Sequence, residues 1–234
     1  VKERSDPCYL LCDFDGTLVD SESLHLQAWQ QSLAPFTAWG GSEALLTLCR
    51  GLSFEGACER LVAEYRLAIS PGDLNQLRAN HYQALTSGQP LPLKQGAERF
   101  IRSMQQYSSL SLSLVTGSTR AEISSTLSHL NWWSVFDTVV TRDDVQGPKP
   151  SPESYQLACA NLGVHPSQCF ALEDSLTGLW AARDAGVPAI LVASHPDTSA
   201  PKGQARVICH NLDEAQRWLI GFIGSDHLGQ GRRD

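Results

Sequence analysis

The sequence predicts an α/β protein: a doubly wound parallel sheet with a small α-helical cap domain inserted into it. Three observations predict this. Six short apolar runs recur along the chain, each bounded by turn residues and each of strand length. Helical patterns with clear start and stop residues separate the later runs, and such alternation calls for a parallel sheet covered by helices on both faces. One long stretch, from Ser21 to about Pro92, breaks the alternation with helical patterns and no convincing strand.

The first strand is read over Cys8 to Phe14. Cys8 and Cys12 share its parity, which suits packing on one face of a sheet. In the helical stretch, Phe54, Cys58, Leu61, Val62 and Tyr65 form one apolar stripe. Ser70-Pro71 starts a further helix, with Leu74, Leu77, His81 and Leu85 near one face. The segments Asp20-Ser21-Glu22-Ser23 and Gln89-Pro90-Leu91-Pro92-Leu93 lead into and out of this stretch and suit a two-stranded hinge. The remaining strands are read at Leu110 to Thr116, Phe136 to Thr141, Cys169 to Leu172, Ala189 to Ala193 and Arg206 to Cys209. Helices start at Ser151-Pro152 and Ser175, and end at Gly163 and Gly186. The expected organisation is a core of residues 1–20 and 93–223, a cap of residues 21–92, and a disordered tail of residues 224–234 without periodicity.

Composition excludes several classes. With 42% hydrophobic and 18% charged residues, the 234-residue chain reads as an ordinary globular protein. A formal net charge of -7 argues against a nucleic-acid surface, which needs clustered Lys and Arg. The longest apolar stretches, such as Val187 to Ala193, are far below a membrane span and are interrupted by Pro188. The charged start Val1-Lys2-Glu3-Arg4 leads into no signal-peptide apolar region. Seven cysteines form no C-x-x-C pair and are expected as buried thiols in a reducing, cytoplasmic setting.

Chemistry concentrates at the ends of the strands. Asp13 and Asp15, in Asp13-Phe14-Asp15-Gly16-Thr17-Leu18, share parity and project together toward the crevice of an open α/β sheet. Two carboxylates so close repel, so a cation neutralises them or one holds a proton. Both conditions suit phosphoryl transfer, in which one Asp attacks phosphorus while the other moves protons. A solvated acidic turn would explain the pair equally well if it stood alone. Thr116-Gly117-Ser118 follows the second core strand and offers a hydroxyl and backbone N–H groups to an anion. Lys149-Pro150 follows the third strand, where an ammonium can counter charge on a transferring group. Glu173-Asp174-Ser175 follows the fourth, and with Asp13 makes the oxygen-rich ligand set that Mg²⁺ prefers.

In order and spacing these four motifs resemble the haloacid dehalogenase superfamily of phosphotransferases, over roughly Tyr9 to Cys209. The stretch from Glu173 to Gly178 and on through Ala181 to Gly186 is especially similar. The resemblance implies that Asp13 is the nucleophile and a Mg²⁺ ligand. It makes Asp15 the general acid/base, which also gives its backbone carbonyl to the metal. Thr116 and Lys149 would hold the phosphoryl oxygens, with Gly117 and Ser118 beside them. Asp174 would be the remaining protein ligand, supported by Glu173. The helical insert then matches the small cap of the family.

Within the superfamily, His25-Leu26-Gln27-Ala28-Trp29 and Arg50-Gly51-Leu52-Ser53 resemble the β-phosphoglucomutase and sugar-phosphatase branch. That resemblance makes His25 and Arg50 candidates for substrate contact, although packing of the first cap helix explains the spacing of His25 and Trp29 equally well. Phe54 stands where the mutases carry an arginine that grips a second phosphate, and a phenyl ring cannot bind an anion that way. The expected activity is hydrolysis of a small phosphorylated metabolite, a sugar or polyol phosphate, with a phosphosugar mutase as the alternative. A dehalogenase would lack Asp15, and a phosphonate hydrolase needs a cap lysine that residues 21–93 do not contain.

Overall fold

A computed structural model of the chain describes residues 8–36, 48–49, 52–192 and 204–226. A six-stranded parallel sheet forms the centre, with strands β1 (Cys8–Cys12), β2 (Leu110–Val115), β3 (Thr138–Val140), β4 (Cys169–Glu173), β5 (Ala189–Val192) and β6 (Val207–Cys209). Their order across the sheet is β3-β2-β1-β4-β5-β6. All six strand candidates are strands: β1, β2, β3 and β6 are shorter than expected, β4 runs one residue further to Glu173, and β5 is described to Val192, Ala193 lying outside the described residues. The order runs outward in both directions from the middle, so a crevice opens between β1 and β4 at their carboxyl ends. Cys12 pairs with Leu114 on one side and Leu172 on the other, which sets Asp13, Val115 and Glu173 at one level.

Strand residues alternate between two cores. Leu10, Cys12, Leu112 and Leu114 pack with Phe100 and Ile101 of α4 (Ala97–Met104), Ile123 and Leu127 of α5 (Arg120–His129), and Leu219 of α8 (Leu212–Asp226). Leu11, Val115 and Ala171 face the other way, against Tyr155 of α6 (Glu153–Leu162) and Leu179 of α7 (Leu176–Asp184). Each such side chain taken out of water contributes about 1.5–3 kcal/mol, so both faces must stay covered. Cys12 is buried in the first core with Cys8 packed against it, and all seven cysteines are free thiols.

Between β1 and α4 lie the described helices α1 (Glu22–Leu33), α2 (Phe54–Tyr65) and α3 (Pro71–Thr86). They enclose a core of their own that includes Trp29, Leu33, Cys58, Leu61 and Leu74. Ser53 and Ser70 cap α2 and α3, accepting from the backbone N–H of Gly56 and Asp73 at 3.1 Å each. The face of α3 differs from the apolar pattern: its buried residues are Leu74, Arg78, Tyr82 and Thr86, while Leu77, His81 and Leu85 are half-buried. Tyr82 and Arg78 turn inward because α1 supplies aromatic and imidazole partners there.

The chain passes into and out of this helical segment side by side. Val19 bridges antiparallel to Leu93, Asp20 N–H donates to Pro92 O at 2.7 Å, and Lys94 N–H donates to Leu18 O at 3.0 Å. The final helix α8 runs to Asp226, three residues into the stretch expected to be tail. Trp218 and Phe222 stack one turn apart and Ile223 is buried, which extends the helix where composition suggested none. Residues 227–234 lie outside the described residues. Among the described residues no helix is long and apolar enough to cross a membrane.

Candidate active site

The carboxyl ends of β1, β2 and β4 converge on a cleft of about 520 Å³ that also reaches α2 and α3. That volume suits a small metabolite. Asp13, Asp15, Gly117, Ser118, Lys149 and Asp174 line it, together with Phe54, Arg78 and Arg142.

Asp13 follows the last residue of β1 and is buried, its N–H bonded to Leu172 O at 2.9 Å. Both carboxylate oxygens are held: Lys149 Nζ donates to Oδ1 at 2.7 Å and Thr17 Oγ1 donates to Oδ2 at 3.1 Å. Lys149 has no donor to spare, since its other two bonds go to Glu173 Oε1 at 2.6 Å and Val115 O at 2.9 Å. Glu173 is fully buried and also accepts from Tyr155 Oη at 2.6 Å. Tyr155 is a site residue that sequence reasoning missed, because a helical Tyr at strand distance leaves no local motif.

Asp13, Glu173 and Asp174 bring one oxygen each within 4.8 Å of one another, and Thr17 Oγ1 lies 3.5 Å from Asp174 Oδ1. Three carboxylates face one ammonium, and the imbalance registers on the acids. Burial, followed by the charge of Glu173, pushes the Asp13 carboxyl up to about 7 despite Lys149. Burial and the charges of Asp13 and Glu173 raise Asp174 well above the usual carboxylate range. Burial lowers Lys149, but Asp13 and Glu173 outweigh it and hold the ammonium charged. An all-oxygen donor set with surplus negative charge and no thiol in it fits a hard divalent cation. Two glycines make the close packing possible. Gly16 sits at φ +78° with the Asp174 carboxylate where a Cβ would be, and a Cβ on Gly178 would meet the Glu173 carboxylate.

Asp15 is placed differently. Ser21 Oγ donates to Oδ1 and Ser118 Oγ to Oδ2, each at 2.6 Å, and Thr116 Oγ1 lies 3.4 Å from Oδ2. His25 Nε2 faces Oδ1 at 3.5 Å. Burial pushes the Asp15 carboxyl up, yet His25 beside it and the bonds from Ser118 and Ser21 outweigh burial and bring it to about 2. Asp13 and Asp15 are therefore driven apart in acidity by their surroundings, as expected of two carboxylates with different tasks.

The sequence-based candidates fall as follows. Asp13, Asp15, Gly117, Ser118, Lys149 and Asp174 meet at the cleft. Thr116 is buried just behind it and accepts from Ser118 N–H at 2.9 Å. The Thr116-Gly117-Ser118 triplet does not itself cap α5; Thr119 does, in a reciprocal capping box with Glu122. His25 reaches Asp15 and stacks on Tyr82 at 4.0 Å between ring centroids. Trp29 packs into the helical core instead of facing the cleft. Arg50 lies outside the described residues.

A sequence model of haloacid dehalogenase-like hydrolases matches residues 10–192 of the chain. The chain belongs to that family. The fructose-1-phosphate phosphatase YqaB of Escherichia coli is 29% identical over 188 residues, covering 77% of this chain and 94% of that protein. The plasmid-borne CbbY protein of Cupriavidus necator is 31% identical over 235 residues, covering 93% and 91% of the two chains. Among solved structures, CbbY from Rhodobacter sphaeroides in complex with phosphate superposes with a TM-score of 0.73 at 25% identity, covering 89% and 96%.

Proposed function

We propose that this haloacid dehalogenase-like hydrolase removes phosphate from a small phosphorylated metabolite, a sugar or polyol phosphate, through an aspartyl-phosphate on Asp13. It is a phosphoric monoester hydrolase. The observation that carries the reading is Asp13 itself: a buried carboxylate clamped at both oxygens by Lys149 and Thr17, opening on a metabolite-sized cleft beside Asp15. The name of the fructose-1-phosphate phosphatase relative supports the substrate class.

The residues divide the work in two steps. One Asp13 oxygen forms a bond to phosphorus as the bond to the leaving oxygen breaks, and Asp15 gives that oxygen a proton. Water then attacks the same phosphorus, Asp15 takes its proton, and the Asp13–phosphorus linkage breaks to release inorganic phosphate. Asp15 is ionised when the site holds no substrate; an arriving phosphate dianion raises its proton affinity and competes for Ser118, which readies it as an acid. Lys149, its donors committed to Asp13, Glu173 and Val115 O, steadies the phosphoryl oxygens by its charge, with Thr116, Gly117 and Ser118 beside them. Asp13 and Asp174 would hold Mg²⁺, with the Asp15 carbonyl, and Glu173 would fix their surroundings. When bound, Mg²⁺ supplies positive charge that offsets the carboxylates and the charge developing on the phosphoryl group. Seven free thiols support a reducing, cytoplasmic location.

Asp15→Asn should depress turnover of a sugar phosphate at least tenfold more than that of an activated aryl phosphate, because only the former leaving group needs a proton. Steady-state rates on the two substrates, with the aspartyl-phosphate burst measured alongside, check this. Equal losses, with an unaltered burst on both, would remove the acid role.

A mutase would need a second phosphate grip, and Phe54 stands where the mutases place it. Supplied with β-glucose 1-phosphate and glucose 1,6-bisphosphate, the enzyme should release inorganic phosphate faster than it forms glucose 6-phosphate. Following ³¹P resonances tests the reading directly, and isomer outpacing free phosphate would establish the mutase instead.

A further inference from the structure

Two thiols that the proposed chemistry does not use face each other beside the sheet. Cys159 Sγ, on α6, lies 3.7 Å from the Sγ of Cys169, the first residue of β4. Both are buried, but close under the surface: Ala160 and Asn161 follow the first, Ser167 and Gln168 precede the second, and all four of these neighbours are exposed. The pair sits at the amino end of β4, whereas Glu173 closes the carboxyl end and Asp174 follows it at the cleft.

We propose that Cys159 and Cys169 are a reversible oxidation site, which closes to a disulfide under a hydroperoxide and thereby loosens the Mg²⁺ site at the far end of β4. The step balances. The Cys159 sulfur attacks one peroxide oxygen, the O–O bond breaks, and a sulfenic acid and one water form. The Cys169 sulfur then attacks the sulfenic sulfur, the S–O bond breaks, and the hydroxyl leaves with the Cys169 proton as a second water. Two thiols are oxidised by two electrons in all, and one hydrogen peroxide is reduced. The sulfurs have only to close from 3.7 Å to about 2.05 Å. The roles within the pair are set by their contact. A hydrogen bond from Cys169 brings the Cys159 thiol below its ordinary value, whereas burial pushes Cys12, Cys58 and Cys209 up.

The consequence for the site comes from a second contact between the same two elements. Tyr155 stands one turn before Cys159 on α6, and Glu173 stands four residues after Cys169 on β4. Tyr155 Oη donates to Glu173 Oε1 at 2.6 Å, so phenol and carboxylate tie α6 to β4 as the sulfurs do. Drawing the sulfurs together shifts α6 against β4 and pulls on that bond. Both of its partners are fully buried, and no water is at hand to replace it. Glu173 also accepts from Lys149, which holds Asp13, so the disturbance passes to the carboxylates that would hold the metal. Partners of this outer kind typically set metal affinity by about tenfold to a hundredfold. Packing alone predicts otherwise: cysteine serves as a small apolar side chain, and two inert buried thiols would neither link nor touch metal binding.

Reduced enzyme would be treated with hydrogen peroxide, digested without reductant and mapped by mass, and its Mg²⁺ affinity measured by titration calorimetry. Mapping should find a peptide joining Cys159 to Cys169, lighter by about 2 Da than the two thiol peptides. The linked protein should bind Mg²⁺ about tenfold more weakly, and a dithiol reductant should restore both mass and affinity. Cys159→Ala and Cys169→Ala should each bind Mg²⁺ as the reduced enzyme does and ignore peroxide. Reduced Tyr155→Phe should already bind weakly, and linking its thiols should add less than about twofold, because both changes act through one bond. Absence of the linked peptide, or a linked protein with unaltered Mg²⁺ affinity, overturns the proposal. Its second half rests on the reading of Asp13 and Asp174 as Mg²⁺ ligands. Reduced enzyme that bound no Mg²⁺ would defeat that reading and the loosening with it, while the mapped peptide still decided the oxidation site.

Discussion

Asp13→Asn should lower turnover of every phosphate monoester by a factor of about 10⁴ or more, the scale on which removal of a covalent nucleophile is felt. The amide is nearly isosteric, so the loss is chemical rather than steric. Thr17 can still donate to the remaining oxygen, and Lys149 keeps Glu173 and Val115 O as partners. The fold should therefore survive, and it should melt at or above the wild-type temperature in chelator because one of three crowded carboxylates is gone. A rate assay, a thermal melt and trapping of labelled phosphate on the protein check the three parts. A variant that kept more than a few per cent of wild-type rate would eliminate the aspartyl-phosphate pathway.

The second large effect concerns the cation. Chelator should abolish activity, Mg²⁺ should restore it, and Ca²⁺ should inhibit because it prefers longer and looser coordination. Mg²⁺ at a hundred times its dissociation constant should also raise the melting temperature by about 5–10 °C, since it binds the folded chain alone. The sign of the pH dependence follows from Asp13, which burial and the charge of Glu173 push up to about 7, above the usual carboxylate range. Such a group is harder to ionise in the fold, so metal-free stability falls as pH rises from the unfolded value through the folded one. The Mg²⁺ increment should accordingly be larger at pH 8 than at pH 5, and Asp174→Asn should shrink it while removing activity. An increment independent of pH and of Asp174 would place the metal elsewhere.

Much of this arrangement was legible in the sequence, for physical reasons that differ by residue. Asp13 and Asp15 could be placed together because strand parity is geometric, and the parallel order could be anticipated because strands alternate with capped helices. Gly16 stands in the first motif, and the structure shows why no other residue fits there: the Asp174 carboxylate occupies the volume of a side chain. Arg78 was not legible. Periodicity marks apolar residues and is silent about a cation on α3, and only the meeting of α1, α2 and α3 reveals it against Phe54. Tyr155 and the Arg142–Glu55 contact were hidden for the same reason, since each joins elements far apart in sequence. His25 was visible as a candidate, but its position against Asp15 depends on how the chain turns at Ser21.

The bridge between Val19 and Leu93 has an evolutionary consequence. Because the chain leaves the sheet and returns to it at neighbouring points, everything between behaves as a cassette whose two ends are already joined. A lineage can lengthen, shorten or exchange that cassette without shifting the register of β1 against β2, and so without moving Asp13. On the proposed reading, reaction and recognition are then inherited separately: the sheet keeps Asp13 in place, while cleft-lining residues between Val19 and Leu93 are free to drift.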